Sequence, residues 1–197
     1  MDKTFESLTL PGASLAWCPG WLDPDASRAL FVALMAQVPW QQHHVRLFGR
    51  CVAAPRLSCW IGDPDASYAY SGTRFAPHPW PDALRAVRDA VGEAAGVRFN
   101  SVLANLYRDG RDGMGWHSDD ERELGPGPVI ASLSLGATRR FSFKHRTRPG
   151  VGLTLPLPAG SLLLMRGATQ QHYRHALPKT ARPVGPRINL TFRRILG

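Results

Sequence analysis

Apolar residues recur at helical spacing in two stretches of the first half of the chain. Leu30, Leu34 and Val38 fall on one face of residues 24–38, with Asp23 placed to cap the segment, Pro24 suited to its first turn and Pro39 to end it. Leu84, Val87, Val91 and Ala95 form a second stripe over residues 81–95, closed by Gly96. Beyond Gly96 the texture changes. Short alternating or wholly apolar runs, at residues 102–107, 130–135, 141–144, 152–157, 161–166 and 188–194, are separated by Gly/Pro turns. Strands this short and regular predict a β-sandwich or barrel rather than an alternating α/β sheet. The expected architecture is one integrated α+β domain. Residues 1–98 supply helices that support, and loops that cover, a β core in residues 99–197. No repeat or low-complexity tract interrupts it.

A length of 197 residues fits one such domain with a single good core. No apolar run approaches the roughly 18 residues that a membrane span needs. The N-terminus lacks a basic region followed by an apolar stretch, so no secretory signal is expected. Cys18, Cys51 and Cys59 are odd in number and widely spaced, without a CxxC, which points to small thiols rather than a disulfide framework or a cysteine metal site. The expectation is a monomer in a reducing compartment, the bacterial cytosol, without contact to a membrane.

The net charge of +9 is unevenly placed. Residues 1–98 hold nine Lys/Arg against nine Asp/Glu, and residues 99–197 hold fifteen against six. The whole excess therefore lies in the second half, which suits a polyanionic partner such as nucleic acid. Arg139, Arg140, Lys144, Arg146 and Arg148 lie within ten residues with no acid between them. Nearly all the cations are arginines, with Lys3, Lys144 and Lys179 the exceptions, and with many Ala, Gly and Pro this fits a GC-rich genome.

Three segments carry candidate chemistry. In Trp116-His117-Ser118-Asp119-Asp120-Glu121, read as extended chain, His117, Asp119 and Glu121 share one face. An imidazole and a carboxylate two residues apart can grip a metal from one side. Either His172 or His175 would complete two histidines and one carboxylate, a set that leaves coordination sites open for dioxygen but would also serve a zinc hydrolase. The third segment narrows the choice. In Arg187-Ile188-Asn189-Leu190-Thr191-Phe192-Arg193, a period of two sends Ile188, Leu190 and Phe192 to one face, expected to pack into the sandwich. The other face carries Arg187, Asn189, Thr191 and Arg193, and buried guanidinium groups need partners. Two arginines about 20 Å apart along the strand can converge on a dicarboxylate through their long side chains. Asn105 and Tyr107 give the strand around Leu106 a similar polar face.

Taken in order, Asn105-x-Tyr107, His117-x-Asp119-x-Glu121, His175 and Arg187-x-Asn189-Leu190-Thr191-x-Arg193 resemble the AlkB family of Fe(II)- and 2-oxoglutarate-dependent dioxygenases. Within it they look closest to the DNA-repair branch with an HxDDE motif. The resemblance covers about residues 45–195, and the final RxNLTFR run is its most distinctive part. It implies a double-stranded β-helix, or jelly roll, with a nucleotide-recognition lid from the N-terminal half. It implies His117, Asp119 and His175 as iron ligands, the last from its YH-x-LP-like setting, with His172 outside the ligand set. Asn105, Tyr107, Arg187, Asn189, Thr191 and Arg193 would bind 2-oxoglutarate, and dioxygen would be the second co-substrate.

The same resemblance implies substrate contacts. Phe48, Gly49 and Arg50 would belong to a hairpin whose tip fills the gap left by a flipped base, and Tyr68, Tyr70 and Ser71 to the segment that sandwiches that base. Asp120 would brace the lid through Arg56, and Glu121 would meet the damaged base. The implied activity is oxidative dealkylation of bases such as 1-methyladenine and 3-methylcytosine in alkylated DNA, single-stranded or duplex. Formaldehyde is released as 2-oxoglutarate and O2 become succinate and CO2. The segment Phe141-Ser142-Phe143-Lys144-His145 runs on through Pro149-Gly150 straight into the next strand, without the longer basic loop of relatives adapted to duplex DNA. Two other readings stand beside this one: a 2-oxoglutarate oxygenase acting on RNA or protein, and a non-catalytic nucleic-acid-binding jelly roll.

Overall fold

The computed structural model describes residues 3–47, 49–66, 68–70 and 73–196, and of residues 45–47, 68–70 and 73–75 the backbone alone. In chain order the first half contributes β1 (Glu6–Leu8), β2 (Ser14–Cys18), helix α1 (Pro24–Gln37), β3 (His44–Leu47) and β4 (Arg50–Ala53). It continues with β5 (Leu57–Gly62), β6 (Tyr68–Tyr70), β7 (Thr73–Phe75) and helix α2 (Asp82–Ala95). The second half supplies β8 (Ser101–Tyr107), β9 (Met114–His117), β10 (Ile130–Gly136), β11 (Arg139–His145), β12 (Gly152–Leu157) and β13 (Leu162–Arg166). A single-turn helix α3 (Thr169–His172), β14 (Tyr173–Leu177) and β15 (Arg187–Arg193) complete it.

Two antiparallel sheets face each other. The larger has strand order β1-β2-β13-β10-β15-β8-β5, and the smaller β12-β11-β14-β9. Non-sequential neighbours in both sheets, closed face to face, make the jelly roll. Phe141, Phe143 and Leu157 of the small sheet meet Leu15, Leu163 and Met165 of the large one in a shared apolar core. The hairpins β3–β4 and β6–β7 stand apart from both sheets as separate two-stranded pairs. None of the described helices is long and apolar enough to cross a membrane.

The two helices form as the apolar spacing predicts. The Asp23 carboxylate accepts the Asp25 and Ala26 backbone N–H groups at 3.1 and 2.9 Å, capping α1. Gly96 ends α2 in the left-handed region at φ 67°. Leu34, Leu84 and Val91 from these helices are fully buried against Leu133, Ile188, Leu190 and Phe192 of the large sheet. Each such side chain contributes about 1.5–3 kcal/mol by leaving water.

This packing reverses one expectation. The apolar face of β15 turns outward onto the helices, not into the sandwich, and the face carrying Arg187, Asn189, Thr191 and Arg193 turns inward. The physical reason is that the large sheet has two faces to cover. The helices bury mostly apolar side chains, among them Leu30, Leu34, Leu84 and Val91, whereas the interior between the sheets leaves a polar cavity at one end. The N-terminal half also does more than support and cover. β1 and β2 extend the large sheet beside β13, and β5 closes its other side beside β8. Residue 98 is therefore not a boundary within the sheet.

Candidate active site

One cavity opens between the sheets, and cross-strand register builds its walls. On the large sheet, β15 lies between β10 and β8, so inward residues fall in rows: Ser134–Asn189–Asn105, Ser132–Thr191–Leu103, and Gly136–Arg187–Tyr107. Gly136 is required in the last row, because a Cβ there would sit 2.5 Å from the Pro186 carbonyl oxygen and its φ is 79°. On the small sheet, His117 of β9 and His175 of β14 are direct register partners, with ring centroids 4.3 Å apart.

Asp119 follows two residues after β9 and is buried. Its backbone N–H donates to Gln170 Oε1 at 3.0 Å, and the neighbouring Ser118 Oγ donates to the Tyr173 carbonyl at 2.8 Å. These bonds fold the loop back over β14. His117 Nε2 then lies 4.0 Å, and His175 Nε2 3.7 Å, from the Asp119 carboxylate. The three side chains each bring one donor atom within 4.8 Å of the others. His117 Nδ1 lies 2.9 Å from the Gly115 carbonyl, which leaves its Nε2 as the free lone pair toward the group. His172 is outside this cluster, its ring beside that of His145 instead.

Burial pushes the His175 imidazole down to about 4, against the pull of the Asp119 carboxylate, so it is a neutral donor near pH 7. Burial alone would raise Asp119, but Arg193 first and the two histidines after it outweigh that and hold its carboxyl below the usual range. Arg193 donates to Asp119 at 2.5 Å and to Glu121 at 3.3 Å.

Arg187 is the unusual group. It is 1% exposed, and its partners are the Ser134 hydroxyl at 2.9 Å, the Asn189 amide oxygen at 2.7 Å and the face of the Tyr107 ring. None of these is an acid, and its Nε is buried with no partner. Burial lowers its pKa to about 10, still charged near neutrality. Arg193 Nε is buried and unpartnered as well. A buried guanidinium with neutral neighbours and a free donor is a site for an anionic ligand. A metal group at one end and an anion site at the other match a small dicarboxylate that also binds metal.

A family model described as the 2OG-Fe(II) oxygenase superfamily matches residues 14–193. A Mus musculus protein named DNA oxidative demethylase ALKBH2 is 45% identical over 159 residues, 77% of this chain and 66% of that protein. A Bos taurus protein named alpha-ketoglutarate-dependent dioxygenase alkB homolog 3 is 40% identical, over 90% of this chain and 65% of that protein. An Arabidopsis thaliana ALKBH2 is 36% identical, over 94% and 67%. The chain belongs to the AlkB family of 2OG-Fe(II) oxygenases. It spans about two thirds of the length of the curated relatives it matches. The solved structure of OsALKBH1 shares the fold, with a TM-score of 0.63 at 15% identity, covering 97% of this chain and 100% of that one.

AlkB-family chemistry uses Fe(II), 2-oxoglutarate and dioxygen, and the chemistry of the donor set suits the iron. His117, Asp119 and His175 are a donor set that could hold a metal, and the buried Nε of Arg187 is left without a partner. Asn105, Tyr107, Asn189 and Thr191 line the same cavity as both arginines.

The residues expected to touch substrate are less gathered. Phe48 and Ser71 lie outside the described residues, as do the side chains of Tyr68 and Tyr70, whose backbone forms β6. Gly49 turns the β3–β4 hairpin at φ 78°, and Arg50 starts β4, exposed. One pairing is corrected: Asp120 does not meet Arg56. Asp120 forms an ion pair with Arg146, which also donates to Ser118 Oγ, while Arg56 Nε donates to Asn105 Oδ1 at 2.9 Å. The β11–β12 turn brings Arg146 over the Ser118–Asp120 loop. Arg139 is corrected too. It is buried and donates to the Asp109, Asp112 and Pro178 carbonyls, so it leaves the exposed cationic cluster.

Sequence reasoning missed Ser132, Ser134 and Gln170. The alternating Ser132-Leu133-Ser134-Leu135 was a visible signal for an inward polar face. Gln170 had none, because it reaches Asp119 across 51 residues.

Proposed function

We propose that this protein is an oxidative demethylase of N-alkylated nucleic-acid bases, of the 1-methyladenine and 3-methylcytosine type, acting in DNA repair. The observation that carries the reading is one cavity holding both the His117–Asp119–His175 group and the acid-free, buried Arg187. The names of its relatives supply the substrate class. Fe(II) with 2-oxoglutarate and dioxygen supplies the oxidising power, one oxygen atom going to succinate and the other to the alkyl carbon.

The chain's own residues have distinct tasks. His117, Asp119 and His175 would hold the metal and leave its remaining positions on the cavity side. Arg187, with Ser134 and Asn189 orienting its guanidinium, would take the distal carboxylate of 2-oxoglutarate, against the Tyr107 ring. Arg193 would steady Asp119 and present its unpartnered Nε to the keto-acid end. Glu121, half exposed beyond Arg193, sits where it can favour a cationic alkylated base over a neutral one. The reacting atom of such a base is on its pairing edge, so the base must leave the stack to reach the cavity. Hydroxylation of the N-methyl carbon gives a hemiaminal, which collapses to formaldehyde and the restored N–H. The free thiols of Cys18, Cys51 and Cys59 suit a reducing cytosol, where the protein would act as a monomer.

The test is mass spectrometry of alkylated single-stranded and duplex DNA, and of alkylated RNA, after incubation with Fe(II) and 2-oxoglutarate. Loss of one methylene mass from 1-methyladenine or 3-methylcytosine oligonucleotides is expected. Succinate release with every alkylated strand unchanged would move the substrate to another class.

A further inference from the structure

The outer face of the four-stranded sheet, turned away from the cavity, carries an aromatic and cationic patch that the reading above does not use. Alternation sends Phe141, Phe143, Tyr173 and His175 inward and leaves Arg140, Ser142, Lys144 and Arg174 outward. Lys144 and Arg174 are cross-strand partners on β11 and β14. Trp116 of β9, the residue before His117, is 44% exposed, and Lys144 Nζ lies 4.4 Å from the centroid of its ring. The register shift between β14 and β9 lets Met114 and His117 both line the cavity while Trp116 stays at the surface. β9, β11, β12 and β14 carry no Asp or Glu, and neither Arg140 nor Arg174 has an acidic partner among the described residues.

A face that only needs solubility mixes both signs of charge. This one carries only positive charge, over about 13 Å along β11 between Arg140 and Lys144, with an indole beside it. Cations that track a backbone and an aromatic ring on which a base stacks are what a single nucleic-acid strand needs. Trp116 and Arg174 adjoin the two histidines of the metal group in sequence, so the patch lies one sheet thickness from the cavity.

We propose that Trp116, Lys144, Arg174 and Arg140 form a platform for single-stranded nucleic acid, gripping nucleotides that flank the one being processed. Trp116 stacks a base, Lys144 holds the indole and a phosphate, and the two arginines take further phosphates. This rests on nucleic acid being the substrate of the cavity behind it.

The experiment is a fluorescence-anisotropy titration of an unmodified thymidine oligonucleotide with the metal-free full chain over a range of salt. Trp116→Ala should weaken binding by about 5- to 160-fold at fixed salt, while Trp116→Phe retains most of it. Lys144→Ala with Arg174→Ala should flatten the log–log salt slope by about 1.4, roughly 0.7 for each lost phosphate contact. Inorganic polyphosphate, which has charge but no bases, should report the loss of Arg174 and not that of Trp116. Wild-type oligonucleotide affinity in Trp116→Ala, or an equal loss toward polyphosphate, would overturn the platform. No lesion and no turnover enters this measurement, so it stands apart from the fate of the demethylase reading. Unchanged melting temperatures of the variants exclude misfolding as the cause.

Discussion

Arg187 is a full positive charge enclosed by a serine, an asparagine and a tyrosine ring. Such a charge destabilises the empty protein and strengthens whatever anion pairs with it. Replacing it with an apolar side chain of similar length should therefore split two properties that usually fall together. Arg187→Met should raise the stability of the metal-free protein by about 1 kcal/mol, the relief of the buried charge being partly offset by the lost Ser134 and Asn189 bonds. It should weaken 2-oxoglutarate binding by at least about a hundredfold, since breaking a buried pair costs roughly 3–5 kcal/mol. Urea unfolding and calorimetric titration of 2-oxoglutarate into the manganese-loaded protein read the two effects. A less stable Arg187→Met with intact 2-oxoglutarate affinity would mean that the arginine is a structural strut. Asp119 is the counterpart at the other end of the cavity, its carboxyl held low by Arg193 and the two histidines and so ionised for a metal.

At the scale of elements, the metal group depends on one register and one loop. β9 and β14 set His117 opposite His175, and the Gln170 and Ser118 bonds bend the following loop to bring Asp119 under both rings. Gln170→Leu keeps the volume but strands the buried Asp119 N–H, so metal affinity should fall about 10- to 100-fold, as for other groups that orient ligands. Manganese titration followed by paramagnetic relaxation checks this. An unchanged dissociation constant would leave the β9–β14 register as the sole determinant of the geometry.

The same elements show what the sequence made legible. The period-two pattern of residues 187–193 identified the polar face and its two arginines, because alternation is local. It could not say which sheet face met the helices, because both faces of β15 are buried and only the tertiary partners distinguish them. Likewise β14 and the Asp120–Arg146 pair escaped, since each is fixed by contacts between distant segments rather than by spacing within one.

At the scale of the whole molecule, the two halves of the chain are one unit. β5 covers the β8 edge and β2 covers the β13 edge of the large sheet, while α1 and α2 cover its outer face. Residues 99–197 expressed alone would expose two strand edges and the apolar side of β15. They should show no cooperative unfolding transition by circular dichroism, and a sharp transition would restore residue 98 as a boundary. Charge is divided differently. The basic excess of the second half does not cluster as the sequence orders it, because Arg139 and Arg187 are buried. Within the exposed remainder, Arg140, Lys144 and Arg174 gather on one sheet face.

If one cavity couples 2-oxoglutarate oxidation to removal of an alkyl group from a base, the products must appear in fixed stoichiometry. A single-stranded oligonucleotide with one 1-methyladenine is incubated with the iron-loaded protein, and succinate and formaldehyde are counted in the same reaction. Wild type should release the two in a one-to-one ratio until the lesion is consumed, and Arg187→Met should release neither at low 2-oxoglutarate. Succinate without formaldehyde, at a rate indifferent to the methylated oligonucleotide, would contradict the account.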